Sequence, residues 1–276
     1  MQIEFTKMHG IGNDFVVIDA INQAIDLATE DVRFIADRHF GVGCDQLLLV
    51  ERPTQPDAEF RYRIFNADGG EVSQCGNGAR CFARFVTERG MTHSRRIPVE
   101  TASGMIYLQV ERGDDVTVDM GVPCFSPTAL PFIAEGEAEY HDLMVNGIMY
   151  AIGAVSVGNP HAVLLVDSVD SAPVETLGAA IENHERFPRR VNVGFMEIID
   201  RSRVRLRVFE RGAGETLACG SGACAAAAIG IRNRLLDETV QVDLRGGSLT
   251  IRWPGAGNPL LMTGPAQTVY QGRIQL

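Results

Sequence analysis

Two short stretches carry the residue types and spacing best suited to chemistry: SQCGNGARC at 73–81 and LACGSGACA at 217–225. Each is a cysteine followed by a glycine-led helix start, and Cys75 and Cys219 stand 144 positions apart. The first N–H groups of a helix have no acceptor within it, and the macrodipole adds partial positive charge there. A thiol so placed can ionise within about pH 3.5–7.5, and the same N–H groups can cradle a substrate carboxylate. Gly76 and Gly220 let a ligand approach the backbone, while Asn77 and Ser221 read as helix-capping residues. A base and an anion site in one place, written twice, suit the removal of a proton from one face of an α-carbon and its return to the other. That is racemisation or epimerisation, which needs a positioned base and stabilised developing charge.

The elements that must hold these cysteines also repeat. GIGNDFVVID (10–19) resembles SVGNPHAVLLVD (156–167), with Asn13 matching Asn159 at an offset of 146. FNADGGEVSQCGNGAR (65–80) resembles FERGAGETLACGSGAC (209–224), pairing Phe65 with Phe209 and Glu71 with Glu215 at 144. VETASGMIYL (99–108) matches VDLRGGSLTI (242–251), and Gly121 matches Gly264, both at 143. Matches in one order at one offset imply two homologous halves. Their expected extents are 1–124, joined by the terminal strand 265–276, and 125–264, with the proline-containing stretch 123–140 as a linker.

Within each half, β-rich runs such as QLLLVE, RYRIF, HAVLLVD and RVRLRVFE alternate with one strong helix after the cysteine. Residues 222–236, GACAAAAIGIRNRLL, are small and apolar on every face at first, as a helix buried inside a sheet requires. The expected fold is α+β: two pseudo-symmetric domains, each a mixed or antiparallel sheet wrapped around a central helix. Pseudo-twofold symmetry would set the two helix starts across an interdomain cleft as the active site.

Composition narrows the alternatives. The 276 residues carry 25 Lys and Arg against 35 Asp and Glu, a net charge of −10 that offers no basic face to nucleic acid. No run approaches the roughly 18 apolar residues of a membrane span, and Glu4 interrupts any secretory signal, so a cytoplasmic enzyme is expected. Six cysteines in such a chain read as thiols, and Cys44, Cys81, Cys124 and Cys224 read as small buried hydrophobes. The cysteine spacings fit neither a zinc knuckle nor a redox pair, so no metal is expected. No lysine motif for pyridoxal and no dinucleotide fingerprint is present, which points to cofactor-independent chemistry. Read alone, Asn13, Asn66, Asn159 and Asn192 could be turn residues and His161 a satisfied core histidine. Glu71 and Glu215 could serve only to fix their loops, and Arg189 and Arg190 read as a solvated face.

The phrases KMHGIGNDF (7–15), CDQLLLVE (44–51), FNADGGEVSQCGNGARC (65–81), GNPHAV (158–163), HERFPRRVNVGF (184–195) and ERGAGETLACGSGACAAA (210–227) resemble the diaminopimelate epimerase family across nearly the whole chain. The resemblance implies interconversion of LL- and meso-2,6-diaminopimelate, with Cys75 and Cys219 as thiolate base and thiol acid. It implies assistance to the thiols from His161 and Glu210, and a carboxylate held by the N–H groups of Gly76, Asn77, Gly220 and Ser221. Asn13, Gln46, Asn66, Asn159, Asn192, Glu210 and Arg211 match substrate-contacting positions, Arg211 as a bidentate partner for the distal carboxylate. It also implies a homodimer, for which Tyr270 is the candidate interface aromatic. Two alternatives stay open: a cofactor-free racemase of another amino acid such as proline or hydroxyproline, and a non-enzymatic thiol protein.

Overall fold

A computed structural model describes residues 1–72, 75–111, 113 and 115–276. They form two compact units, Met1–Asp119 with Thr263–Leu276, and Met120–Met262. The breaks come earlier than the sequence places them because residues 120–124 hydrogen-bond into the second unit. Met120 N–H donates to the Leu260 carbonyl, Leu260 N–H donates to Gly121, and Cys124 bridges Ser156. The stretch 123–140 is likewise no free linker. Leu130 and Phe132 are buried in the second unit's core, and the Phe132 ring stacks on Phe187 with centroids 4.6 Å apart.

In the first unit the sheet runs β18 (Gln267–Gln275), β1 (Gln2–Gly10), β2 (Asn13–Asp19), β3 (Gln46–Glu51), β4 (Phe60–Asn66), β6 (Arg96–Thr101), β7 (Gly104–Val110) and β8 (Asp115–Asp119). The β2–β3 and β4–β6 pairings are parallel, the others antiparallel, and β5 (Glu71–Val72) lies beside β4. Strand β4 shows the period-two logic: Phe60, Tyr62 and Ile64 are buried while Arg61 and Arg63 reach outward. Helix α2 (Gly76–Glu88) buries Ala79, Cys81, Phe82, Ala83, Phe85 and Val86 and touches β1, β2, β3, β7, β8 and β18, so the sheet wraps it. Helix α1 (Thr29–Ala36) covers the opposite face, its Val32 and Ile35 packing with Ile3, Val16, Ile18 and Leu47.

The second unit repeats this order. Strands β9 (His141–Val145), β10 (Ile148–Ser156), β11 (Pro160–Leu165), β12 (Asn192–Asp200), β13 (Arg203–Glu210), β15 (Thr239–Leu244) and β16 (Gly247–Arg252) pair in succession, with β14 (Gly214–Thr216) beside β13. Here the parallel pairs are β11–β12 and β13–β15, the counterparts of β2–β3 and β4–β6. Helix α4 (Gly220–Arg232) is buried from Gly222 to Gly230, its run of alanines letting the strands close tightly round it, and α3 (Val174–Glu182) covers the outer face. Strand β17 (Leu261–Pro265) carries the chain from the second unit back to the first. The architecture is the two-repeat α+β fold expected from the duplicated sequence.

Candidate active site

Each unit brings its own share of the expected residues to the start of its central helix. In the first unit, Ile11 and Gly12 both adopt positive φ (49° and 94°), the tight two-residue turn that delivers Asn13 to the head of β2. Gln46 heads β3 and lies opposite Asn66, the last residue of β4, and its amide Nε2 donates to Asn66 Oδ1 at 2.8 Å. Cys75 caps α2 with extended backbone (φ −143°, ψ 121°), followed by Gly76 and Asn77. Its Sγ lies 3.9 Å from Asn13 Oδ1, which also accepts from Asn77 Nδ2 at 3.2 Å.

In the second unit, Asn159 precedes β11, His161 pairs in register with Asn192 at the head of β12, and Glu210 ends β13. Cys219 caps α4 (φ −114°, ψ 101°), and its sulfur accepts from Gly222 N–H at 3.4 Å. The cap position in both units therefore belongs to the cysteine itself, and Asn77 and Ser221 sit in the first turn and not at the cap that their residue types suggest. Ser221 Oγ lies 3.6 Å from Cys219 Sγ and 3.0 Å from His161 Nε2, and Asn159 contacts both Ser221 and His161. Asn192 Oδ1 accepts from Arg211 N–H at 3.0 Å. The Arg211 guanidinium donates to the Arg189 carbonyl at 3.1 Å and lines a cavity of about 230 Å³ with Arg189, Asn159 and Pro160.

The electrostatics depart from the expectation of a readily ionised thiol at Cys219. Burial, followed by the Glu210 carboxylate that hydrogen-bonds the thiol, pushes Cys219 well above the ordinary cysteine value. Hydrogen bonds from Ser221 and Gly222 work the other way without prevailing. Cys219 is only 3% exposed, and the hydration its sulfur loses outweighs what a helix start offers a thiolate. Cys219 therefore rests as a thiol. His161, fully buried and facing the Arg211 charge, is driven down to about 3 and is a neutral imidazole. Its Nδ1 has no hydrogen-bond partner among the described residues. Cys44 and Cys81 are buried and pushed up to about 11 and about 12, in keeping with a packing role.

Several residues around the two cysteines escaped the sequence reading. Tyr62, buried on β4, donates to the Cys75 carbonyl at 3.2 Å, and a Cβ on Gly78 would come within 2.7 Å of its hydroxyl. Its spacing from Asn66 along one strand face, 62, 64, 66, was the available signal. Arg63 grips Glu71 through two hydrogen bonds of 2.8 and 2.9 Å, and Arg207 grips Glu215 through two of 2.7 Å. These repeated pairs fasten β5 and β14, the short strands leading to each cysteine, to β4 and β13. Thr216 Oγ1 donates to Glu210 at 2.5 Å. Among the described residues, no group of three or more His, Cys, Asp or Glu could hold a metal ion, and no helix is long and apolar enough to cross a membrane.

Known proteins resemble the chain at two levels. The family model described as diaminopimelate epimerase matches residues 5–125 and 153–269. Diaminopimelate epimerases of Aromatoleum aromaticum and Thioalkalivibrio sulfidiphilus are each 62% identical to it over the full length of both chains. That of Teredinibacter turnerae is 58% identical, again over both whole chains. Among solved structures, a Bacillus anthracis phenazine biosynthesis protein of the PhzF family superposes with a TM-score of 0.74 at 16% identity, covering all of both chains. A probable proline racemase from Agrobacterium radiobacter K84 superposes at 0.72 and 16%, covering 99% of this chain and 93% of that one. At such identities these two structures speak for the fold alone.

Proposed function

The chain belongs to the diaminopimelate epimerase family, and from that premise we propose that Cys75 and Cys219 carry out the epimerisation of LL- to meso-2,6-diaminopimelate without a cofactor. The observation that supports this most is the duplication of one device: a cysteine at the N-cap of the central helix in each unit, with a side-chain amide or hydroxyl beside each sulfur. One cysteine, as thiolate, takes the α-proton, and the other, as thiol, delivers its proton to the opposite face. The N–H groups of Gly76, Asn77, Gly220 and Ser221 hold the reacting carboxylate and stabilise charge as it develops.

Cys219 has a local acceptor for its own proton. When it acts as base, Glu210 accepts the thiol proton and leaves the thiolate; when it acts as acid, the proton stays on sulfur until the carbanion takes it. Neutral His161, reaching Cys219 through Ser221, orients that hydroxyl toward the sulfur. Asn13, Gln46, Asn66, Asn159 and Asn192 supply donors and acceptors for the amino-acid ends of the substrate. Arg211, in its cavity, is placed to take the distal carboxylate, which is the reason to favour diaminopimelate over a monocarboxylate such as proline. The active form is a cytoplasmic homodimer joined through the exposed face of β18, where Val269 and Tyr270 are 55% and 45% exposed. A monomeric mass by light scattering at micromolar concentration would refute the dimer.

The decisive experiment is epimerisation in deuterated water. With two bases, newly formed product carries deuterium from the exchanged thiol while recovered starting epimer stays nearly unlabelled early on. Equal early labelling of both epimers means a single base and rejects the assignment.

A further inference from the structure

The Asn13 side chain stands beside the Cys75 sulfur, and something must decide which end of its amide faces that sulfur. Asp45 decides it. Asp45 Oδ2 accepts from Asn13 Nδ2 at 2.9 Å and from Asp14 N–H at 3.1 Å, and its Oδ1 accepts from Arg38 Nη2 at 2.8 Å. An ionised carboxylate can only accept, so the Asn13 NH2 must point at Asp45 and the carbonyl at Cys75 and Asn77. The carboxylate is itself clamped. Arg38 forks onto both Asp14 oxygens at 2.8 and 3.0 Å, and Asp45 N–H donates to Asp14 Oδ1 at 2.8 Å. Lys7 bridges Asp14 and the Gly43 carbonyl. Burial works against the Asp14 charge, yet the hydrogen bonds from Arg38 and Lys7 hold its carboxyl well below the usual range.

Resting on the two-thiol reading, we infer that Asp45 is a positioning residue that acts through Asn13. It locks the amide so that a carbonyl acceptor, with no NH2 donor, faces Cys75. A carbonyl there favours the protonated sulfur, whereas a freed amide can turn its NH2 toward the thiolate. The second unit has no such lock: Val191, fully buried, stands where the repeat would place Asp45, and Asn159 is held by His161 and Ser221 instead.

The test is alkylation of the native protein by iodoacetamide at pH 7, with Cys75 and Cys219 followed separately by peptide mass spectrometry. Asp45→Asn should speed alkylation of Cys75 by about threefold or more and leave Cys219 unchanged. It should also lower kcat for epimerisation. Removing a negative charge could act through space as well, so the same change is made in an Asn13→Ala background. There it should add nothing to the Cys75 rate, because the amide that transmits it is gone. An equal acceleration in both backgrounds, or no change of Cys75 in either, overturns the inference. If Asp45→Asn does not fold, Arg38→Gln loosens the same carboxylate and should accelerate Cys75 in the same selective way; no acceleration there overturns it equally. Failure of the deuterium experiment with this alkylation pattern intact would reject the two-base reading while leaving the Asp45 lock standing.

Discussion

The two cysteine-capped helix starts share a backbone and differ in chemistry. Beside the Cys75 sulfur stand the neutral amides of Asn13 and Asn77, and the aromatic Phe15 occupies the place that His161 takes in the other repeat. Around Cys219 stand a carboxylate, an imidazole and a hydroxyl, Glu210, His161 and Ser221. Exposure differs too: Cys75 is half-buried, Cys219 almost wholly enclosed. The duplication therefore conserved the frame that aims a sulfur and an N–H cluster at one point, and the side chains at equivalent positions diverged. The lesson is that a helix start does not by itself produce a thiolate; at Cys219 the loss of water outweighs the dipole.

The comparison can be strained in order of expected effect. Alanine at Cys75 or at Cys219 should lower kcat by on the order of 10³-fold or more in both cases, since the units are alike in needing a sulfur. A residual rate differing by more than that between the two variants would mean that only one thiol is essential. Next comes the asymmetry. Glu210→Gln should reduce kcat about 100-fold and make Cys219 alkylate faster, because a charge that raises the thiol is removed. Asn66→Gln, at the equivalent position of the first unit, should cost less than about tenfold. Equal losses from the two variants in steady-state kinetics would erase the proposed special role of Glu210.

The paired ion locks should separate in stability. Arg207→Met leaves Glu215, whose side chain is 5% exposed, with the Arg245 contact at 3.2 Å as its remaining ion pair among the described residues, and should cost about 2 kcal/mol in urea unfolding. Arg63→Met leaves Glu71 at 38% exposure and should cost below about 1 kcal/mol. The reverse order would show that exposure does not govern these pairs. A further contrast is read in pH. His161 falls to about 3 in the folded chain against an ordinary 6.5, so the unfolded chain takes the proton first as pH drops. Its contribution is complete above pH 6.5 and is lost toward pH 3, by roughly 1.4 kcal/mol per unit between. His161→Gln should flatten that part of the stability curve measured by urea titration at pH 4, 5 and 6.5. An unchanged slope would mean that His161 is not buried neutral.

Much of this frame was legible from the chain alone. Offsets of 143 to 146 placed the halves, because homologous strands must bring equivalent residues to equivalent ends. Period-two burial in RYRIF and the alanine run after Cys219 announced a strand and an enclosed helix. What stayed hidden is non-local. Leu130 and Phe132 sit among prolines and acidic residues that suggest a linker, and only their partners, Phe187 above all, make them core. Glu71 and Glu215 gave no sign of their arginines, since Arg63 and Arg207 meet them only once the short strands fold back. The state of Cys219 depended on how much water the surrounding strands exclude, a quantity that no spacing reveals. Asp45, adjacent to Gln46 in sequence, is explained only by the turn that carries Asn13 to it.

The route of the last strand has a consequence for biosynthesis. Strand β18 pairs with β1 from Gln2–Gln275 to His9–Gln267, and Met1 and Leu276 exchange backbone hydrogen bonds at the end of that ladder. The ribosome thus releases β1 well before its partner β18, with the whole of Met120–Met262 emerging in between. The later-encoded unit has all its strands available before the earlier one does, so the order of completion runs opposite to the order of synthesis. Until β18 emerges, the nascent chain carries an open β1 edge, a template for mispairing.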